Sequence, residues 1–157
     1  DGIGRVTFFM ALSMIAGALA FGPIDRIVHS RKRIVLIGTL IALGCLVWLW
    51  IGAGAQSILG VSVLLVGIGF FGSAYGQIMN HGRTLLPEHL TGRGVTLINL
   101  FSIGGVGVFQ MVTARVYNAK IAGGAQVLQG YSAVFAGFTI ALALGCLIYL
   151  LSTEKDA

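Results

Sequence analysis

Four long segments of this chain contain no Asp, Glu, Lys or Arg, and they limit its possible folds more than any other feature. They are residues 6–24, 34–82, 94–114 and 121–153. Each segment is long enough for at least one helix of about 20 residues, the length that crosses the hydrocarbon core of a bilayer. Only 10% of all residues are charged, against about 25% in ordinary soluble domains. The sequence therefore predicts an all-α, polytopic bundle of transmembrane helices in a lipid bilayer.

The number of spans follows from where polar residues interrupt these segments. The second segment is too long for one helix, and two glycines and two polar residues divide it at residues 52–57. In the last segment, residues 123–130 are too polar and too rich in glycine for hydrocarbon. Tyr131 and Tyr149 are expected near the two membrane interfaces. The prediction is five spans, at about 6–24, 34–51, 58–80, 94–117 and 131–151.

The basic residues predict the orientation of the five spans. If the spans alternate in direction, one side of the membrane receives seven Lys and Arg residues and the other receives three. The larger group is Arg26, Arg31, Lys32, Arg33, Arg83, Arg93 and Lys155, and the smaller is Arg5, Arg115 and Lys120. By the positive-inside rule the N-terminus faces outward and the C-terminus faces the cytoplasm. We expect a multi-pass protein of the bacterial inner membrane.

Polar residues distinguish the spans from one another. Spans two and five have almost no polar side chains apart from Thr39 and Thr139, and we expect both at the periphery, facing lipid. The third and fourth spans each have a polar face, because their small and polar residues recur at helical spacing. These residues are Gly69, Ser73, Gly76, Gln77 and Asn80 in span three, and Asn99, Ser102, Gln110, Thr113 and Tyr117 in span four.

Two interpretations of these polar faces remain open. An amide facing lipid would cost several kcal/mol, so each face should border either a water-filled cavity or another helix, where amides and glycines serve packing. Arg115 lies about 160° from the face of span four, and is either an interface arginine with its charge in water or an anion-binding or gating residue. The candidate cavity residues are Ser73, Gln77, Asn80, Asn99, Ser102, Gln110, Thr113 and Arg115.

Other apparent motifs do not predict an enzyme, a metal site or a cofactor. Residues 67–72 match a dinucleotide-binding glycine pattern, but they lie inside an apolar span with no preceding strand. Ser73 and His81 are two turns apart on one helix and cannot form a nucleophile and base pair. His81, Glu88 and His89 lack metal-ligand spacing and are explained by a solvated loop. The remaining basic residues follow membrane topology, so we expect no nucleic-acid partner.

Two segments carry a resemblance to a known family. Residues 17–33 contain Gly22, then Asp25 and Arg26, then a basic cluster before the next span. This segment resembles the cytoplasmic loop motif of the major facilitator superfamily, and residues 86–99 are similar to the connection between the tenth and eleventh helices of these transporters. The resemblance maps the chain onto helices eight to twelve, and the family places helices nine and twelve on the outside.

The resemblance implies a role for the charged residues on the cytoplasmic side. In the family, such residues hold neighbouring helix ends together and stabilise one access state. By resemblance we assign this role to the loop motif and to the second segment: Gly22, Asp25, Arg26, Arg31, Lys32, Glu88 and Arg93.

The function we expect is transmembrane transport of a small solute by alternating access, as the C-terminal part of a facilitator. The chain begins with Asp1, and we expect it to need a missing N-terminal half as its partner. Since no carboxyl group lies inside a predicted span, any proton-coupling carboxylate should lie in the missing half, or transport is uncoupled. The alternative is a small membrane scaffold or subunit that binds a partner through its helices.

Overall fold

The chain folds into α-helices, 3₁₀ turns and short connections. The computed structural model describes residues 2–28 and 30–152, apart from the side chains of Asp25, Arg26, Thr84 and Leu85. Within these residues there is no strand, and five helical stretches are long and apolar enough to cross a membrane. The predicted all-α bundle with five spans is confirmed to this extent. The orientation of the bundle in the membrane stays a prediction.

The five spans contain six α-helices. They are α1 (Gly2–Val28), α2 (Arg31–Ile51), α3 (Ile58–Gly72), α4 (Gly76–Leu85), α5 (Thr91–Ala122) and α6 (Val127–Leu150). A 3₁₀ turn, Ser73–Tyr75, joins α3 to α4, so the two helices form a single span. A second 3₁₀ turn, Glu88–Leu90, leads into α5.

Polar residues and glycine define where these helices begin and end. The hydroxyl group of Ser30 accepts a hydrogen bond from the backbone N–H of Arg33 and caps α2, and Ser57 caps α3 in the same way. Gln126 and Gln129 form a capping box at the start of α6. Each cap satisfies a backbone N–H that has no partner within its own helix. After α5 the chain turns at Gly124, whose φ of 81° favours glycine.

Successive spans alternate in direction. The Ser13 hydroxyl group of α1 donates to the carbonyl oxygen of Val66 in α3, and Gln77, further along the same span, donates to that of Phe21. Spans one and three are therefore parallel. We call one end of the bundle the Trp50 end, where α2 and α5 end and α1, α3 and α6 begin. The other is the Lys32 end, where α2 begins and α4 and α6 end.

The position of α2 differs from the expectation that spans two and five are peripheral. Five of its apolar residues are buried: Ile34, Val35, Ala42, Leu46 and Leu49. It contacts α1, α3, α4 and α6, whereas α5 has no buried residue. The expectation for α2 is wrong because lipid and protein neighbours both suit an apolar side chain, so an apolar composition does not reveal which of them surrounds a helix.

The segment around Asp25 also differs from the predicted loop. The backbone of α1 continues to Val28, and α2 begins at Arg31. Charged residues can stay in a helix at the membrane boundary because their long side chains reach water while the backbone keeps its hydrogen bonds. Most of the predicted loop is therefore the end of one helix and the start of the next.

Candidate functional site

The polar face of the third span is used in helix packing. Ser73 is buried, and its hydroxyl group donates a hydrogen bond of 2.6 Å to the carbonyl oxygen of Phe70. Gln77 is also buried, and its amide nitrogen donates to the Phe21 carbonyl oxygen of α1 at 3.3 Å. The exposed Asn80 donates to the Gln77 amide oxygen at 3.1 Å. Gln77 therefore joins the third span to α1, whereas the hydroxyl group of Ser73 bonds within its own span.

Glycines let these two helices approach closely. A β-carbon at Gly17 would overlap the Phe70 carbonyl and the Ser73 hydroxyl group, and one at Gly69 would lie 2.5 Å from the Ser13 hydroxyl oxygen. Ser13 is buried and bonds the carbonyl oxygens of both Met10 and Val66. Neither Ser13 nor Gly17 was predicted from the sequence to lie in this contact. Their signal is two small residues four positions apart, which is typical of helix contacts in membranes.

The polar face of α5 has different surroundings. The side chains of Asn99, Ser102 and Gln110 are exposed, and none of them forms a hydrogen bond with a residue that the structure describes. Three glycines in the middle of this helix are equally open, since a β-carbon at Gly104, Gly105 or Gly107 would meet no atom within 4 Å. On the polar face of α5, these three polar residues are the members of the predicted cavity lining that remain accessible.

The last two members of this face are more enclosed than the first three. Thr113 is half-buried, and its hydroxyl group donates to the Phe109 carbonyl oxygen of its own helix at 2.9 Å. The ring of Tyr117 lies 5.1 Å from that of Tyr131 in α6, measured between centroids. Gly130 makes room for this contact, because a β-carbon there would lie 2.8 Å from the Tyr117 ring. The face predicted for span four is thus divided between an open part and a packed part.

Arg115 lies on the exposed surface of α5. It makes no hydrogen bond or ion pair with any residue in the described part of the chain. This position is compatible with both interpretations of Arg115 from the sequence, and the arginine stays apart from the open polar face.

The basic motif at the Lys32 end includes a direct contact between helix ends. The Lys32 ammonium group donates to the carbonyl oxygens of Leu150 and Ser152, at 2.8 and 2.6 Å. These acceptors end α6, where unpaired carbonyl groups and the helix dipole favour a cation. Lys32 therefore joins the first turn of α2 to the end of α6.

The other residues of the predicted gating set range from half-buried to exposed where the structure describes their side chains. Gly22 is exposed, and a β-carbon there would meet nothing within 4 Å. Arg31 is half-buried, and both Glu88 and Arg93 are exposed. Neither Glu88 nor Arg93 forms an ion pair with a described residue. The side chains of Asp25 and Arg26 lie outside the described part of the structure.

A buried polar pair lies at the same end. His81 of α4 is only 3% exposed, and its Nδ1 atom lies 2.7 Å from the Tyr149 hydroxyl oxygen of α6. The prediction that His81 lies in a solvated loop near Glu88 and His89 is wrong. His81 lies within a helix, and a buried imidazole needs a polar partner. The two residues are 68 positions apart, so no local pattern predicts their contact.

No group of three or more His, Cys, Asp or Glu residues that could hold a metal ion occurs among the residues that the structure describes. Cys45 and Cys146 are both free thiols, half-buried and buried respectively. Comparison with known proteins found no matching family model, no matching curated protein and no matching solved structure.

Proposed function

We propose that this chain is part of a membrane transporter of the facilitator type, and that the open face of α5 borders the path of a small polar solute. The observation that carries the proposal is the exposure of Asn99, Ser102 and Gln110 on a helix without buried residues. The two segments that resemble the major facilitator superfamily support the same assignment. They are residues 17–33 and 86–99.

Placing an amide in hydrocarbon has a large cost in free energy. An amide without a hydrogen-bond partner costs several kcal/mol in a medium that offers none. The open face must therefore border water or a further polar surface. In a facilitator the opposite wall of a central cavity belongs to the other helical half. The exposed surface of α5 could face such a wall across the cavity.

The chemistry of the open face suggests the class of solute. One hydroxyl and two amide groups both donate and accept hydrogen bonds, so they suit a small molecule with several polar groups. Neutral groups of this kind fix the orientation of a solute without requiring that it be charged. Sugars, amino acids, organic anions and drug-like compounds all remain compatible with this surface.

The contacts at the Lys32 end suggest how one access state is stabilised. Lys32 joins α2 to α6, and the pair of His81 and Tyr149 joins α4 to α6. In the proposed transporter these contacts keep three helix ends together while the Trp50 end opens. In this proposal the Lys32 end faces the cytoplasm of a bacterial cell, and the larger share of Lys and Arg at that end supports this orientation.

Cysteine accessibility tests the proposed cavity before any substrate is known. In a chain with Cys45 and Cys146 replaced by alanine, Asn99→Cys, Ser102→Cys and Gln110→Cys are labelled in membranes by a charged, water-soluble thiol reagent. If water lines the open face, these cysteines should be labelled about tenfold faster than a cysteine in lipid. The reason is that the reaction requires a hydrated thiolate. Val108→Cys is the matched control, since Val108 is exposed on α5 and lies about 160° from Gln110.

The outcomes separate transport from a purely structural role. Fast labelling along the open face, slowed by a transported solute, supports the cavity. Labelling as slow as that of Val108→Cys at all three positions contradicts it. That result would instead favour the alternative of a membrane scaffold, in which another helix covers the polar face of α5.

A further inference from the structure

A cleft at the Trp50 end is separate from the open face of α5. It has a volume of about 290 Å³ and lies where the end of α2, the end of α5 and the start of α6 meet. Its walls include Trp50, Lys120, Leu128, Gln129 and Ser132. The cleft therefore combines one cation, polar donors and an apolar wall.

The polar groups of the cleft are suited to an anion. Lys120 is exposed and forms no hydrogen bond or ion pair with a described residue, so its ammonium group is open to a ligand. The Gln129 amide oxygen accepts from the Gln126 backbone N–H at 3.3 Å, which leaves the amide N–H groups as donors. The Ser132 hydroxyl group donates to the Trp50 carbonyl oxygen over a long 3.4 Å. No acceptor group of comparable charge opposes these donors among the described lining residues.

The charge around the cleft has the same sign. The described charged residues at the Trp50 end are Arg5, Arg115 and Lys120, and the described residues at this end include no carboxylate. An anion that approaches the cleft is therefore attracted by its surroundings as well as by Lys120.

The position of the cleft indicates where such an anion comes from. Trp50, Tyr117 and Tyr131 lie at this end of the bundle, and such aromatic residues are typical of the membrane interface. Two residues next in sequence to the lining are apolar and exposed: Ile51, after Trp50, is 75% exposed, and Val127, before Leu128, is 59% exposed. A headgroup held at Lys120 would leave its acyl chains beside this apolar surface.

We propose that the cleft binds the phosphate group of an anionic phospholipid, with Lys120 as the charged contact and the amide N–H groups of Gln129 as hydrogen-bond donors. The indole ring of Trp50 packs against the bound headgroup region. The site is independent of the proposed transport path, and it remains if α5 borders another helix instead of water.

Tryptophan fluorescence tests the proposal in the full chain with Trp50 as its only tryptophan, Trp48 being replaced by Phe. The chain is reconstituted in bilayers that contain brominated phosphatidylglycerol or brominated phosphatidylcholine with matched acyl chains, since bromine quenches a neighbouring indole. Phosphatidylglycerol should be preferred about fivefold next to Trp50, which corresponds to one lysine at an anionic headgroup. Lys120→Gln should abolish the preference, and Lys120→Arg should keep it.

Controls separate the site from general attraction and from soluble phosphate. Arg115→Gln removes a cation from the same end outside the cleft, and it should leave the preference within about twofold. Equal quenching by both lipids, or an unchanged preference in Lys120→Gln, overturns the proposal. A third outcome is loss of the preference in millimolar inorganic phosphate, with the preference kept in a phosphate-free salt of equal ionic strength. That result would assign the cleft to soluble phosphate and overturn the lipid assignment.

Discussion

The contact between α1 and α3 and the open face of α5 contain the same kinds of residue in contrasting surroundings. Hydroxyl groups occur in both regions, glycines occur in the α1–α3 contact and elsewhere on α5, and amides belong to α5 and to the end of the third span. At Ser13, Gly17 and Gly69 these residues meet across a helix contact without spare space. Asn99 and Gln110 meet no described partner. A polar face on a membrane helix therefore shows that the helix needs a polar neighbour. Whether that neighbour is another helix or water determines whether the face serves packing or lines a cavity.

Glycine substitution should separate the two regions most strongly. Gly69→Ala places a β-carbon 2.5 Å from the Ser13 hydroxyl oxygen and 2.8 Å from the Met10 carbonyl oxygen. We expect it to lower the free energy of unfolding by about 1–3 kcal/mol, as overpacking does. Gly105→Ala, with nothing within 4 Å, should leave stability unchanged or raise it slightly. Unfolding in mixed micelles measures both, and equal effects would contradict the contrast.

The amides should show opposite effects on stability and transport. Gln77→Ala removes the bond to the Phe21 carbonyl oxygen and should cost about 1 kcal/mol of stability. Gln110→Ala should change stability by less than about 0.5 kcal/mol, because its side chain has no described partner.

The activity measurement completes this second test. In the intact transporter, Gln110→Ala or Asn99→Ala should lower solute uptake about threefold to tenfold through loss of one hydrogen bond. Membrane abundance should stay unchanged. If uptake is normal in both variants at normal abundance, the face of α5 serves helix packing like that of the third span.

The pair of His81 and Tyr149 extends the packed region to the Lys32 end. A double-mutant cycle with His81→Leu and Tyr149→Phe should give a coupling energy of about 0.6 kcal/mol, typical of hydrogen bonds between membrane helices. The cycle is needed because both residues have further interactions. Additive effects of the two substitutions would show that the 2.7 Å contact contributes no net stability.

The smallest effect is expected for Lys32 at the end of α6. Lys32→Met removes two hydrogen bonds to the Leu150 and Ser152 carbonyl oxygens and should cost about 0.5 kcal/mol, as for a cation at a helix terminus. Hydrogen exchange of the last turn of α6 should become faster. Arg33→Met is the control, since Arg33 is exposed in the same turn of α2. Equal exchange in both variants would remove this role from Lys32.

Much of the fold could be predicted from local sequence, and less of the candidate site. The turn at residues 52–57 and the five apolar spans are local features, because length and polarity decide them. The central position of α2, the burial of His81 and the partner of Lys32 depend on residues far away in the chain. The sequence also suggested one polar face along span four, but in the structure Thr113 is half-buried and Tyr117 contacts α6, so the face is not uniform.

The sequence by itself determined that this chain forms apolar helices, since hydrocarbon offers the backbone no hydrogen-bond partner and a helix satisfies its own. It also determined which side chains are polar enough to require a hydrogen-bond partner. Only the tertiary structure decided which of these side chains have a partner within the chain. The side chain of Gln77 bonds to α1 and that of His81 contacts α6, while the side chain of Gln110 forms no hydrogen bond with a described residue. The reason is physical: another helix, water or a solute can each supply the hydrogen bonds that a hydroxyl or amide group needs. The residue type alone does not specify which of these partners is present.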